Sequence, residues 1–158
     1  MVGSPTGTCA SDLQFLYSAT SSHRLFEFKT CIDPTTFNLK GLQSTIAIFG
    51  STITQSTKMN VFGNIAPPAC KVDTLKDGEY VTKVTLYSNA NSIIGIDYET
   101  SIGEKKTAGK TSGTPTVWTF SDKLLIGMYG STKDGLITSI GAIIAKPNCL
   151  DVIEALTP

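Results

Sequence analysis

The run Asp77-Gly78-Glu79-Tyr80-Val81-Thr82-Lys83-Val84-Thr85-Leu86-Tyr87, followed by Ser88-Asn89-Ala90-Asn91 and then Ile94-Gly95-Ile96-Asp97-Tyr98-Glu99-Thr100, decides the fold. Asp77-Gly78 is a turn pair. From Tyr80 the residues alternate: Tyr80, Thr82, Val84 and Leu86 fall on one face, Val81, Lys83, Thr85 and Tyr87 on the other. The Asn-rich tetrapeptide reads as a loop, since Asn tolerates left-handed backbone angles. Beyond it Ile94, Ile96 and Tyr98 point one way and Asp97 and Glu99 the other, which predicts a strand with one dry and one wet face.

The pattern continues downstream. Gly103 marks a turn, Val117–Phe120 a short strand, Leu124–Tyr129 another, and Gly130–Gly135 a polar loop. Leu136–Ala145 is the last strand, with Leu136, Ile140 and Ile144 expected on one face. Their spacing also fits a helix, but Gly141 and the β-branched residues favour a strand. Upstream, Leu13–Tyr17 and Leu25–Thr30 are expected to pair across Ser18–Arg24, and Thr45–Phe49 with Lys58–Phe62 across Gly50–Thr57. Leu150–Leu156 is expected to form one helical turn or to fray. So many short strands predict an all-β sandwich, barrel or prism, and periodicity does not choose among them.

At 158 residues, 41% hydrophobic and 16% charged, the chain is expected to be globular, with a single domain over residues 8–150 and a tail or linker at 151–158. Residues 1–40 read either as an extension or as a divergent first sheet. Thirteen basic residues balance thirteen acidic ones, so no net field favours nucleic acid. No apolar run reaches the ~20 residues of a membrane helix, so no membrane insertion is expected. The N-terminus makes a poor signal peptide. Either the chain is cytosolic or it is a mature or excised piece; Gly3–Gly7 and Thr157-Pro158 read as linker and favour an excised piece. Cys9, Cys31, Cys70 and Cys149 show no Cys-x-x-Cys spacing, which argues against zinc. They predict either two disulfides or four buried thiols. Of the three pairings, Cys9–Cys31 with Cys70–Cys149 is preferred, contributing roughly 3 and 4–5 kcal/mol.

Four pieces in order resemble jacalin-related lectins, most clearly over residues 78–144: Asp77-Gly78-Glu79-Tyr80-Val81 with Lys83-Val84; Ile94 to Thr100; Ser112-Gly113-Thr114-Pro115; and Leu125-Ile126-Gly127-Met128-Tyr129-Gly130-Ser131 with Ser139-Ile140-Gly141-Ala142-Ile143. The resemblance implies a β-prism I fold: three antiparallel sheets of about four strands around a pseudo-threefold axis. In that family the last long loop carries Gly-x-x-x-Asp, whose carboxylate accepts two sugar hydroxyls through charge-assisted bonds. Aligned back from Ile140-Gly141, Asp134 takes the Gly position, Gly135 and Leu136 follow, and Thr138 takes the Asp position. A Thr hydroxyl does not replace a two-oxygen carboxylate. Asp134, in a loop one residue longer, is either a substitute acceptor or a solvent-facing turn residue. Asn89 and Asn91 match the family's second recognition loop, and turn chemistry alone also explains them.

Trp118 is either a sugar-stacking platform or, more simply, core. His23, the sole histidine, sits in a Ser-rich turn with no catalytic partner nearby in sequence. No phosphate loop or calcium loop is present. The expectation is therefore a non-enzymatic, cofactor-free carbohydrate-binding module, secreted or held in a secretory vesicle. Its partner would be a glycan or glycoprotein, and a homo-oligomer is in keeping with the family. The alternative is a structural or adhesion domain of the same fold that binds protein rather than sugar.

Overall fold

A computed structural model describes residues 2–3, 7–12, 23–49, 53–66, 69–76, 78–121, 123–146 and 149–156. It is built from strands β1 (Val2–Gly3), β2 (Thr8–Ser11), β3 (His23–Ile32), β4 (Leu39–Phe49), β5 (Ile53–Gly63), β6 (Cys70–Thr74), β7 (Val81–Ser88), β8 (Ile93–Thr100), β9 (Lys105–Gly109), β10 (Thr114–Thr119), β11 (Leu124–Lys133), β12 (Leu136–Lys146) and β13 (Cys149–Leu156). These form three antiparallel sheets. One has the order β5-β4-β3-β6 and another β10-β7-β8-β9. The third is five-stranded, β1-β12-β11-β2 with β13 also on β12. The all-β expectation holds, with one sheet a strand larger than expected.

All three sheets turn apolar residues into one core. Phe28, Leu39, Leu42 and Phe62 come from the first, Val84, Leu86, Ile96, Tyr98 and Trp118 from the second, and Met128, Ile140, Ala142 and Ile144 from the third. Trp118 is thus core. A smaller cluster gathers Ile46, Met59, Ile126, Ile143 and Ala145.

Bulges reset the alternation that local sequence suggested. The β7–β8 register shifts between Val81 and Lys83. Val81 therefore joins Val84 and Leu86 in the core, while Tyr80 is exposed. In β12 the register steps from Ser131↔Ser139 to Thr132↔Ile137, which leaves Thr138 as the extra residue. Ile137 consequently turns inward with Ile140 and Ile144, and Leu136, expected beside them, stays exposed.

Thr45–Phe49 and Lys58–Phe62 do lie on the paired strands β4 and β5, but in another register than expected: β5 already begins at Ile53, Thr45–Phe49 pairs with Ile53–Lys58, and Phe62 pairs with Leu42. Leu25–Thr30 belongs to β3, whose ladders run to β4 and, from Glu27 to Cys31, to β6. Leu13–Tyr17, its expected partner, lies outside the described residues. His23 opens β3 rather than sitting in a turn. Leu150–Leu156, expected as a helical turn or a frayed end, is strand β13 on β12.

The preferred cysteine pairing is overturned. Cys31 and Cys70 stand directly opposite each other in the β3–β6 ladder, Cα atoms 4.0 Å apart, and form a disulfide. Pairing across that register leaves neither thiol for Cys9 or Cys149. Those two lie on β2 and β13, at opposite edges of the five-stranded sheet with β11 and β12 between them. At ~4.8 Å per strand spacing they are beyond bridging distance of each other.

Two polar struts lock the sheets together. Asp12, fully buried after β2, accepts the Met128 N–H on Oδ2 (2.9 Å) and the Asn60 N–H on Oδ1 (2.9 Å), with Ser44 Oγ 3.5 Å from Oδ2. One carboxylate thus ties β2, β4, β5 and β11. Between the sheets β10-β7-β8-β9 and β5-β4-β3-β6, Tyr98 donates its hydroxyl to Asp73 Oδ2 at 2.9 Å and packs its ring 4.9 Å from that of Phe28. Burial, then the Asp73 bond, pushes the Tyr98 phenol pKa up.

Candidate functional site

The connections 33–38, 64–66, 89–92, 110–113 and 134–135 gather at one end of the prism. Gly109 abuts Leu39, and Gly63 packs against Lys40 and Ile137 with no room for a Cβ. The sequence-predicted site residues are all at this end, but on two different sheets and in different roles.

Lys133 pairs with Leu136, so Asp134-Gly135 is a two-residue hairpin loop. Both residues have positive φ, 54° and 75°, as a type I′ turn requires. Asp134 is exposed at its tip. Leu136, the next residue, is exposed as well. Thr138 is only 6% exposed. Its hydroxyl donates to the Ser131 carbonyl (3.0 Å) and lies 2.8 Å from Ser131 Oγ. Ser131 Oγ in turn lies 2.7 Å from Ser139 Oγ, so Thr138 belongs to a buried hydroxyl cluster in the β12 bulge and faces away from solvent. On the other sheet, Asn89 Oδ1 accepts the N–H groups of Asn91 and Ser92, both at 2.8 Å, which uses that oxygen to close the β7–β8 turn. Asn91 is exposed beside it.

The sequence reading missed a concavity at the same end. It is about 450 Å³, between edge strands β6 and β9, and is lined by Thr30, Ile32, Phe37, Lys71, Thr107 and Gly109 among others. Phe37 is 60% exposed at φ 62°. A bulky non-glycine residue in the left-handed region is an outlier that marks a functional candidate. The preceding turn holds it there. Asp33 Oδ1 accepts the Thr35 and Thr36 N–H groups at 2.7 and 3.0 Å, and the Phe37 N–H donates to the Asp33 carbonyl at 2.8 Å. Pro34 fixes φ at the second turn position. The same N–H donors stabilise the Asp33 carboxylate and lower its pKa. Asp33-Pro34 is a turn signal that the sequence carries, whereas the backbone angle at Phe37 has no local signature. An exposed aromatic face beside hydroxyl and ammonium groups is suited to a ring that has both C–H and O–H surfaces.

The sequence profile of the jacalin-like lectin domain matches residues 44–143. The chain belongs to this family. No curated protein matches it by sequence. Among solved structures, this jacalin-like chain is similar to Calystegia sepium agglutinin, with a TM-score of 0.70 at 14% identity over 91% of this chain and 92% of that one. It is similar also to artocarpin, solved with mannotriose (0.70, 17%, 90% and 93%), and to a mannose-binding jacalin-related lectin from Ananas comosus (0.71, 15%, 91% and 93%). At these identities the structures establish the β-prism and leave the ligand open. The family's proteins are non-enzymatic carbohydrate binders. In this jacalin-like chain Thr138 is buried and internally bonded.

Proposed function

We propose that the protein is a non-enzymatic carbohydrate-binding module that takes a glycan, free or on a glycoprotein, at the hairpin end of its prism. The observation that carries this reading is the Phe37 concavity, an aromatic platform held rigidly beside hydroxyl groups at the end of a jacalin-like fold. Asp134 is the exposed acid of the same end, able to accept sugar hydroxyls. The Cys31–Cys70 disulfide supports work in an oxidising compartment, either secreted or in a secretory vesicle.

A second reading, a structural or adhesion domain that binds protein rather than sugar, is favoured by one observation: Thr138, at the family's aspartate position, is buried and occupied. A glycan array with the natural chain, Phe37→Ala and Asp134→Ala separates the two. Glycan binding lost in Phe37→Ala supports the lectin. No binding by the natural chain supports the second reading.

A further inference from the structure

A second polar hollow lies on the outward face of the sheet β10-β7-β8-β9. Strand register builds it in three rows. Pro115, Tyr87 and Gly95 are opposite one another, as are Val117, Thr85 and Asp97, and then Lys83, Glu99 and Lys105. Gly95 contributes no side chain to the first row, and the Lys110 backbone packs against it there. The resulting concavity is about 290 Å³.

Asp97 lies at its centre. The sequence places it on a wet face, and it does lie opposite the core, yet it is only 7% exposed. Its Oδ2 accepts the Tyr87 hydroxyl at 2.8 Å. Its Oδ1 is buried with no hydrogen-bond partner. A buried carboxylate oxygen without a donor carries an uncompensated desolvation cost, which a ligand that donates a hydrogen bond removes. Having donated its proton, the Tyr87 oxygen keeps lone pairs free to accept one.

The charges around the hollow select the ligand. A cation would meet the Lys83 and Lys105 ammonium groups, and an anion would meet Asp97 and Glu99. The Lys83–Glu99 pair, 3.7 Å apart, further balances the rim. Exposed Val117 and Pro115 supply an apolar wall. The volume is near the lower limit of roughly 300 Å³ for small-molecule sites, room for one ring rather than a chain.

We infer that this hollow binds a neutral polyhydroxylated ring, with one hydroxyl donating to Asp97 Oδ1, another donating to Tyr87, and C–H groups against Val117 and Pro115. This site is independent of the hairpin-end concavity, so each stands or fails separately.

The test is amide-resolved NMR titration of the full chain with methyl α-D-mannopyranoside, methyl β-D-galactopyranoside and N-acetyl-lysine amide. The expected result is saturable shifts of the Tyr87, Gly95, Asp97 and Val117 amides with at least one sugar. Asp97→Asn, which keeps the shape, weakens that binding at least tenfold, whereas Phe37→Ala leaves it unchanged. Three results overturn the inference: no saturable shift at these amides with either sugar, equal affinity in Asp97→Asn, or shifts only with the lysine amide.

Discussion

Removing the Asp12 carboxylate should loosen the junction of two sheets. Asp12→Ala deprives the Met128 and Asn60 backbone N–H groups of their acceptor. A buried donor left unsatisfied costs about 1–3 kcal/mol. The Met128 donor is buried and the Asn60 donor only partly so, which gives about 3 kcal/mol for the pair, or roughly 6–12 °C in Tm for a chain of this size. Asp12→Asn keeps one acceptor oxygen and should lose about half as much. Urea unfolding followed by the fluorescence of Trp118, the sole tryptophan and 6% exposed, reads the loss directly. The same strut has a pH signature. Burial raises the Asp12 pKa above 3.8, outweighing the hydrogen bonds that lower it. Between 3.8 and the folded-state value the folded chain binds more protons than the unfolded one. The Asp12 contribution is therefore fully present below 3.8 and declines as pH rises through the folded-state pKa. The stability of the natural chain minus that of Asp12→Asn should fall with rising pH in that window. A loss under ~0.5 kcal/mol in Asp12→Ala, or a difference that rises with pH, refutes the reasoning.

Replacing both bridged cysteines, as Cys31→Ala/Cys70→Ala, should cost about 4 kcal/mol by the loop-entropy estimate for a sequence separation of 39, measured as a shift in the urea midpoint. Non-reducing peptide mapping should recover the Cys31–Cys70 linkage. In Gly95→Ala the new Cβ would run into the Lys110 carbonyl oxygen, a backbone atom unable to swing aside; a loss of about 1–3 kcal/mol is expected in the same assay. Thr138→Asp places a charge among the buried Ser131 and Ser139 hydroxyls. It should lower stability at neutral pH by at least ~1 kcal/mol, with partial recovery on acidification as the new carboxyl protonates.

The strands were legible where one face is dry over several residues, as in Val84–Leu86 and Ile96–Tyr98. Local alternation failed at Val81 and Thr138 because a bulge is a property of two strands in register, and the partner strand is not visible in a single run of residues. The disulfide failed for the same reason: Cys31 meets Cys70 through a ladder that closes across 39 positions. At the site, Asp134-Gly135 was legible as a turn because its chemistry is local. Thr138 could be aligned to the family's acid, but its burial depends on the bulge. Phe37 gave no signal, since only the folded loop puts an aromatic side chain at positive φ.

The central claim is that sugar is held at the Phe37 concavity. Isothermal titration of the natural chain and of Phe37→Ala, using the best ligand from a glycan array, tests it most directly. The predicted result is saturable binding by the natural chain and at least a tenfold loss in Phe37→Ala, with the urea midpoint unchanged because the exposed ring contributes little to folding. Equal affinity in the two proteins, or no glycan bound by the natural chain, would contradict the account.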